Sequence, residues 1–238
     1  MTIDRETTHE TALNGTISEA LDAALAGRLL LTHPFYRRWE AGELAVGELA
    51  AYAVQYRSFE AALPVILSGV VDGLREVGSS AAAELVDRNL NDELGTPEPH
   101  LALFDRFARS VSVGGDPSVP GGAVEGPAAA SLVETYRDLL EHSPVAALAG
   151  LAAYESQASE IASSKADGLR RWYGIDAAGV EFWDLHAELD SAHGDWAVTA
   201  LELLHASPKE VTESARRAAD AWWSLLDERQ DAYLASAA

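Results

Sequence analysis

Apolar side chains recur along this chain every three or four residues, the spacing that lines one face of a helix, while strand-like alternation is nearly absent. With abundant Ala, Leu and Glu, the pattern predicts helices over Ile17–Leu31, His33–Ala41, Val46–Leu74, Ser79–Gly95, Pro99–Val113, Pro127–Glu141, Pro144–Tyr173, Ala177–His205 and Pro208–Tyr233. Prolines stand at several of these starts, where the missing N–H costs nothing. Pro64 falls inside the third helix and is expected to kink it, because it removes a backbone bond and crowds the preceding turn. The run GGDPSVPGGAVEG (Gly114–Gly126) predicts a long mobile loop, and residues 1–15 a flexible polar tail. The helical pattern is alike on both sides of that loop and neither half looks self-sufficient, so residues 16–238 are expected to form one all-α domain.

Composition narrows the chemistry. Of 238 residues, 48% are hydrophobic, enough for a sizeable core. There is no cysteine, which excludes disulfides, thiolate catalysis and cysteine-held zinc or iron–sulfur clusters. Any metal must be held by His, Asp and Glu, a donor set suited to iron, manganese or zinc. A formal net charge of -21 argues against nucleic-acid backbones and anionic membranes as partners. Met1–Gly15 lacks the apolar run of a signal peptide and no stretch approaches membrane-spanning length, so a soluble cytoplasmic protein is expected.

Several polar residues fall inside the apolar stripes. His186, Asp190 and His193 lie at i, i+4 and i+7 on a face otherwise occupied by Phe182, Trp183, Leu189, Ala197 and Leu204. Two imidazoles and a carboxylate there are costly unless they pair with one another or bind a cation; a slightly rotated, solvated face is the third option. Glu155 sits among Leu148, Leu151, Ala158 and Ala162, to be neutralised by a base such as Lys165 or by a metal. Glu93 and His100 bracket GTPEP, whose prolines forbid a regular helix, so the Glu closes one helix and the His opens the next. An ordinary acidic helix end followed by a surface loop would read the same way. Glu60 shares a face with Tyr56, Leu63 and Leu67. Together these are three histidines and four carboxylates from separate helices, the usual means by which a bundle holds two iron or manganese ions. The familiar Glu-x-x-His pair is missing, which implies an unrelated bundle architecture.

HPFYRRWEAGEL (His33–Leu44), NLNDELG…H (Asn89–His100), AYESQ (Ala153–Gln157), IASSKADGL (Ile161–Leu169) and HAELDSAH (His186–His193) resemble, in that order, the haem-oxygenase-like diiron oxidases. That group is related to the thiaminase-type TenA proteins and the quinone synthase PqqC. The resemblance spans roughly Ile17–Leu204. It implies a haem-oxygenase-like (TenA/PqqC-like) helical bundle, usually a homodimer. It also implies two iron ions, Fe/Mn being possible, held by Glu93, His100, Glu155, His186, Asp190 and His193. Dioxygen would be the co-substrate and an external reductant would restore the ferrous state.

Within the group, one branch makes para-aminobenzoate from its own tyrosine. Tyr36 falls at the position of that tyrosine and Lys165 at a required lysine. The chain departs from the branch at Phe59–Glu60, where a histidine is expected, and at Phe182, where a tyrosine is. Members that oxidise nitrogen resemble one another in an extra glutamate from the third helix, and Glu60 stands there as a candidate seventh ligand. On that resemblance the favoured expectation is N-oxygenation of a small-molecule amine in specialised metabolism. The alternatives are para-aminobenzoate synthesis from Tyr36, desaturation or C–C cleavage of an amino or fatty acid, and a non-catalytic or cofactorless protein. Tyr36, Tyr154, Phe59 and Phe182 are expected to line the substrate pocket.

Overall fold

A computed structural model describes residues 16–95, 98–112 and 126–237. The expected flexible tail (1–15) and all but the last residue of the expected mobile loop lie outside them. Among the described residues the elements are helical: α1 (Ile17–Leu25), α2 (Pro34–Ala41), α3 (Val46–Glu76), α4 (Ser80–Leu94), α5 (His100–Ser110), α6 (Pro127–His142), α7 (Pro144–Tyr173), α8 (Ala177–Leu203) and α9 (Pro208–Ala237), with a short 3₁₀ turn at Leu30–Thr32. None is long and apolar enough to cross a membrane.

Local chemistry sets several boundaries. Thr16 and Glu19 form a reciprocal capping box at the start of α1. Ser143 and Asp176 cap α7 and α8 by accepting the backbone N–H of Ala146 and Gly179. The first helix is shorter than its apolar pattern suggests. It stops at Leu25 because Gly27 adopts φ +71°, a left-handed conformation that ends a helix, and the chain resumes as the 3₁₀ turn. At the far end, α8 closes at Leu203 and His205 itself takes φ 49°. Helix α3 runs through Pro64 as one element; the ring still removes the N–H that the Glu60 carbonyl would have accepted.

Helix α7 is the hub. It packs against α8 and α9, and also against α6, α3 and α2. Its buried alanines (146, 147, 149, 152 and 153) let neighbouring helices come close. At Gly194 of α8 the backbone carbonyl of Glu155 lies 3.2 Å from where a Cβ would stand, so a glycine there seats α8 against α7 beside the polar residues of both. His33 ties α2 to α9. Its Nδ1 accepts the Phe35 N–H at 3.1 Å while its Nε2 donates to Asp227 at 3.0 Å, and its ring stands edge-on to Trp223.

Candidate metal centre

Four helices bring the six family positions together. Glu93 ends α4, His100 opens α5, Glu155 lies midway along α7, and His186, Asp190 and His193 descend one face of α8. All six are buried, which removes the solvated-face and surface-loop readings. They form two trios whose donor atoms lie within 4.8 Å of one another: Glu93 with His100 and His186, and Glu155 with Asp190 and His193.

The geometry is that of donors facing a common point. His100 Nδ1 is 3.2 Å from Glu93 Oε2, and His186 Nε2 is 3.8 Å from Glu93 Oε1. In the other trio His193 Nδ1 lies 3.4 Å from Asp190 Oδ1 and 3.9 Å from Glu155 Oε2. Yet His100 Nδ1, His193 Nδ1 and Asp190 Oδ1 are buried with no hydrogen-bond partner. An unmade bond of this kind costs about 1–3 kcal/mol for each group. A cation in each trio removes that cost, and oxygen-and-imidazole donors suit iron or manganese.

The outward-facing ring nitrogens of His186 and His193 are already committed. His186 Nδ1 donates to the Phe182 carbonyl at 2.7 Å, which leaves Nε2 towards Glu93. His193 Nε2 lies 3.2 Å from Asp92 Oδ2, which leaves Nδ1 towards Asp190 and Glu155. Asn89 Nδ2 donates to Glu155 Oε1 at 3.2 Å. Such partners fix tautomer and ring orientation and commonly tune a metal's affinity. Asn89 and Asp92 escape a reading of the sequence because NLNDE looks like any acidic helix end; their only signal is that they precede Glu93 by four and one positions.

Electrostatics describe the same site without its ions. Burial pushes His186 and His193 down, but the nearby carboxylates, Asp190 chief among them, overcome this and raise them to about 10 and about 9. Burial, then the Asp190 charge, lifts Glu155 to about 7. Glu93 falls below the usual carboxylate range: burial opposes this, but His100 and His186 outweigh it. Protons on His186 and His193 thus stand in for cations.

Glu60 lies outside both trios. It is buried, its Oε1 has no partner, and burial followed by the Glu93 charge raises its pKa well above the usual range. Lys165 does not neutralise Glu155. It is fully buried and its Nζ donates instead to the Tyr52 hydroxyl at 2.7 Å. The Tyr52 hydroxyl is in turn 2.8 Å from the Tyr36 hydroxyl, and Lys165 Nζ stands 4.7 Å from the Tyr36 ring centroid and 4.1 Å from that of Trp183. Burial pushes this amine well below its usual range and both phenols above theirs. Tyr52 carries no distinguishing sequence signal, being one more aromatic four residues before Tyr56. Of the other expected pocket residues, Tyr154 bonds to the Tyr56 hydroxyl at 2.7 Å and stacks on Trp222; Phe59 packs on Trp222, and Phe182 lies against His186.

Comparison with known proteins adds to this picture. Residues 50–223 match a family described as iron-containing redox enzymes. A 4-aminobenzoate synthase of Nitrosomonas europaea is 35% identical, over 93% of this chain and 94% of its own length. One from Chlamydia pneumoniae is 28% identical, over 87% and 92%. Among solved structures, a TenA homologue of Pseudomonas syringae superposes with TM-score 0.73 at 14% identity, covering 92% of this chain and 98% of its own. A protein of unknown function from Nostoc punctiforme superposes with TM-score 0.72 at 17% identity, over 90% and 95%. The architecture is therefore the haem-oxygenase-like, TenA-like helical bundle.

Proposed function

Since the chain belongs to the family of iron-containing redox enzymes with this fold, we propose that it makes 4-aminobenzoate at a dinuclear iron centre, using its own Tyr36 as the source of the ring. The observation that carries the reading is the buried contact between a phenol and an amine. Tyr36, Tyr52 and Lys165 form one hydrogen-bonded chain sealed from solvent. The 4-aminobenzoate synthases that align over most of the chain support the same product.

The product's atoms explain why these residues matter. Its ring and carboxyl carbon correspond to the ring and Cβ of a tyrosine, with nitrogen in place of the phenolic oxygen. Making it from Tyr36 would break the Cα–Cβ bond, with a proton taken up at Cα to leave glycine at position 36, while dioxygen oxidises Cβ from a methylene to the carboxyl level. A nitrogen must also reach the ring, and the side-chain amine beside it is Lys165. Its Nζ would bond the ring carbon as the phenolic oxygen leaves as water, and oxidation of Cε to an aldehyde by dioxygen would break the Cε–Nζ bond. Burial favours the uncharged form of that amine, the nucleophilic one. Tyr52 holds hydroxyl and amine in register. Bound at the two trios, the ions, two Fe or Fe with Mn, would supply dioxygen activation, with electrons from an external reductant. The six ligands hold them, while Asp92, Asn89 and the Phe182 carbonyl orient those ligands.

A second reading, N-oxygenation of an external small-molecule amine, rests on Glu60. This buried acid, whose Oε1 has no hydrogen-bond partner, is raised by burial and then by the charges of Glu93 and Asp190. With Glu60 ionised, four carboxylates would balance two divalent ions. The identity of the synthase relatives outweighs this single position.

The test uses protein made with heavy-carbon tyrosine and nitrogen-labelled lysine, loaded anaerobically with iron and given dioxygen and reductant. The proposal expects 4-aminobenzoate carrying both labels and none from Tyr36→Phe. Product from the Phe variant, or product lacking the tyrosine label, contradicts it.

A further inference from the structure

One cleft reaches the first trio through His100, and through Asp92 it reaches the residue that holds His193 of the second. It measures about 450 Å³ and lies between the end of α4, the start of α5 and the outer face of α8. Leu103, Leu185 and Leu189 form its apolar walls, and Asp92, Glu98 and Glu181 supply carboxylates. Its inner end reaches the candidate centre at His100. His100 belongs both to the cleft lining and to the first trio, and its buried Nδ1 is one of the unpartnered atoms. Asp92 also lines the cleft, and its carboxylate holds His193 of the second trio.

Two of its carboxylates, Glu98 and Glu181, are joined by an ion-pair clasp. Arg106 on α5 donates to both oxygens of Glu98, at 2.8 and 2.9 Å, and to Glu181 of α8 at 2.7 Å. The three groups are partly exposed, so the clasp is worth little in stability. It does control charge. Along the whole cleft Asp92, Glu98 and Glu181 stand against one arginine, a net negative lining whose field gathers cations and repels anions.

The geometry points to this cleft as the entrance by which divalent metal ions reach the dinuclear centre, with Glu98 and Glu181 drawing the ion in and Arg106 setting how strongly they do so. An arriving cation meets the outer carboxylates, competes with the guanidinium for them, and passes to His100 and the Glu93 carboxylate it faces. The inference rests on the metal centre and not on which product is made there.

The experiment is anaerobic mixing of the metal-free chain with Co²⁺, followed by the cobalt absorption bands at low and high salt, with bound metal counted at the end. Glu98→Gln combined with Glu181→Gln leaves Asp92 and Arg106 to cancel. That double variant should load about fivefold more slowly at low salt, lose most of the salt dependence, and reach the same two ions per chain. Arg106→Gln should load about twofold faster than the unaltered chain. The double variant loading at the unaltered rate in low salt overturns the entrance, as does a slower Arg106→Gln. An unaltered chain that never binds two ions contradicts the metal centre, and the entrance with it.

Discussion

Two buried polar regions sit side by side in this bundle and are finished in opposite ways. Around Glu93, His100, Glu155, His186, Asp190 and His193, donor atoms crowd together with lone pairs left over. Around Tyr36, Tyr52 and Lys165 the hydroxyls and the amine bond to one another, and aromatic rings enclose the amine. Burying polar groups is costly in both cases. The first region can be relieved only from outside, by cations. The second is already relieved internally and, on the proposed function, would hold its reactants within itself. A cation site next to a sealed phenol–amine pair is what a self-consuming oxidation would require.

Breaking the two regions separately sharpens the contrast. His193→Ala removes a ligand from the second trio and should lower bound metal to one ion per chain or fewer and abolish 4-aminobenzoate, as metal analysis and product assay would record. Tyr36→Phe should abolish product just as completely while leaving two ions per chain, since it touches no ligand; a loss of metal in this variant would mean the regions are not independent. Asp92→Ala leaves every ligand in place but frees the His193 ring, and should weaken binding of one ion by about 10–100-fold in a metal titration.

The smallest effect concerns protons. In the metal-free chain His186 and His193 are raised to about 10 and about 9 from an ordinary 6.5. Groups raised on folding contribute stability that is complete below about pH 6.5 and is lost as pH rises through 9 and 10. Glu155, raised to about 7, acts in the same direction lower down, between about 4.5 and 7. The thermal midpoint of the metal-free chain should therefore fall steadily from pH 6 to pH 10. With metal bound the curve should flatten, because cations replace the protons; equal slopes with and without metal would contradict this.

How much of this could be read in the sequence follows from the same contrast. His186, Asp190, His193 and Glu155 were legible because each interrupts an apolar stripe, and Glu93 and His100 because prolines separate them; the structure buries all six. The helix pattern was legible for the same reason, down to α7 starting at Pro144 and ending at Tyr173. The region that completes itself was harder to see. Tyr52 is an aromatic among aromatics, and whether Lys165 turns to Glu155 or to a phenol depends on the packing of α2, α3 and α7, which no spacing encodes. Asp92 was hidden by its acidic surroundings. The end of α1 was missed because the left-handed Gly27 overrides an apolar pattern that continues past it.

The most direct test is peptide mass spectrometry across His33–Arg37 after the iron-loaded chain has turned over once with dioxygen and reductant. The account predicts glycine at position 36 in step with the amount of 4-aminobenzoate formed. Tyrosine intact at position 36 beside a full yield of product would contradict it.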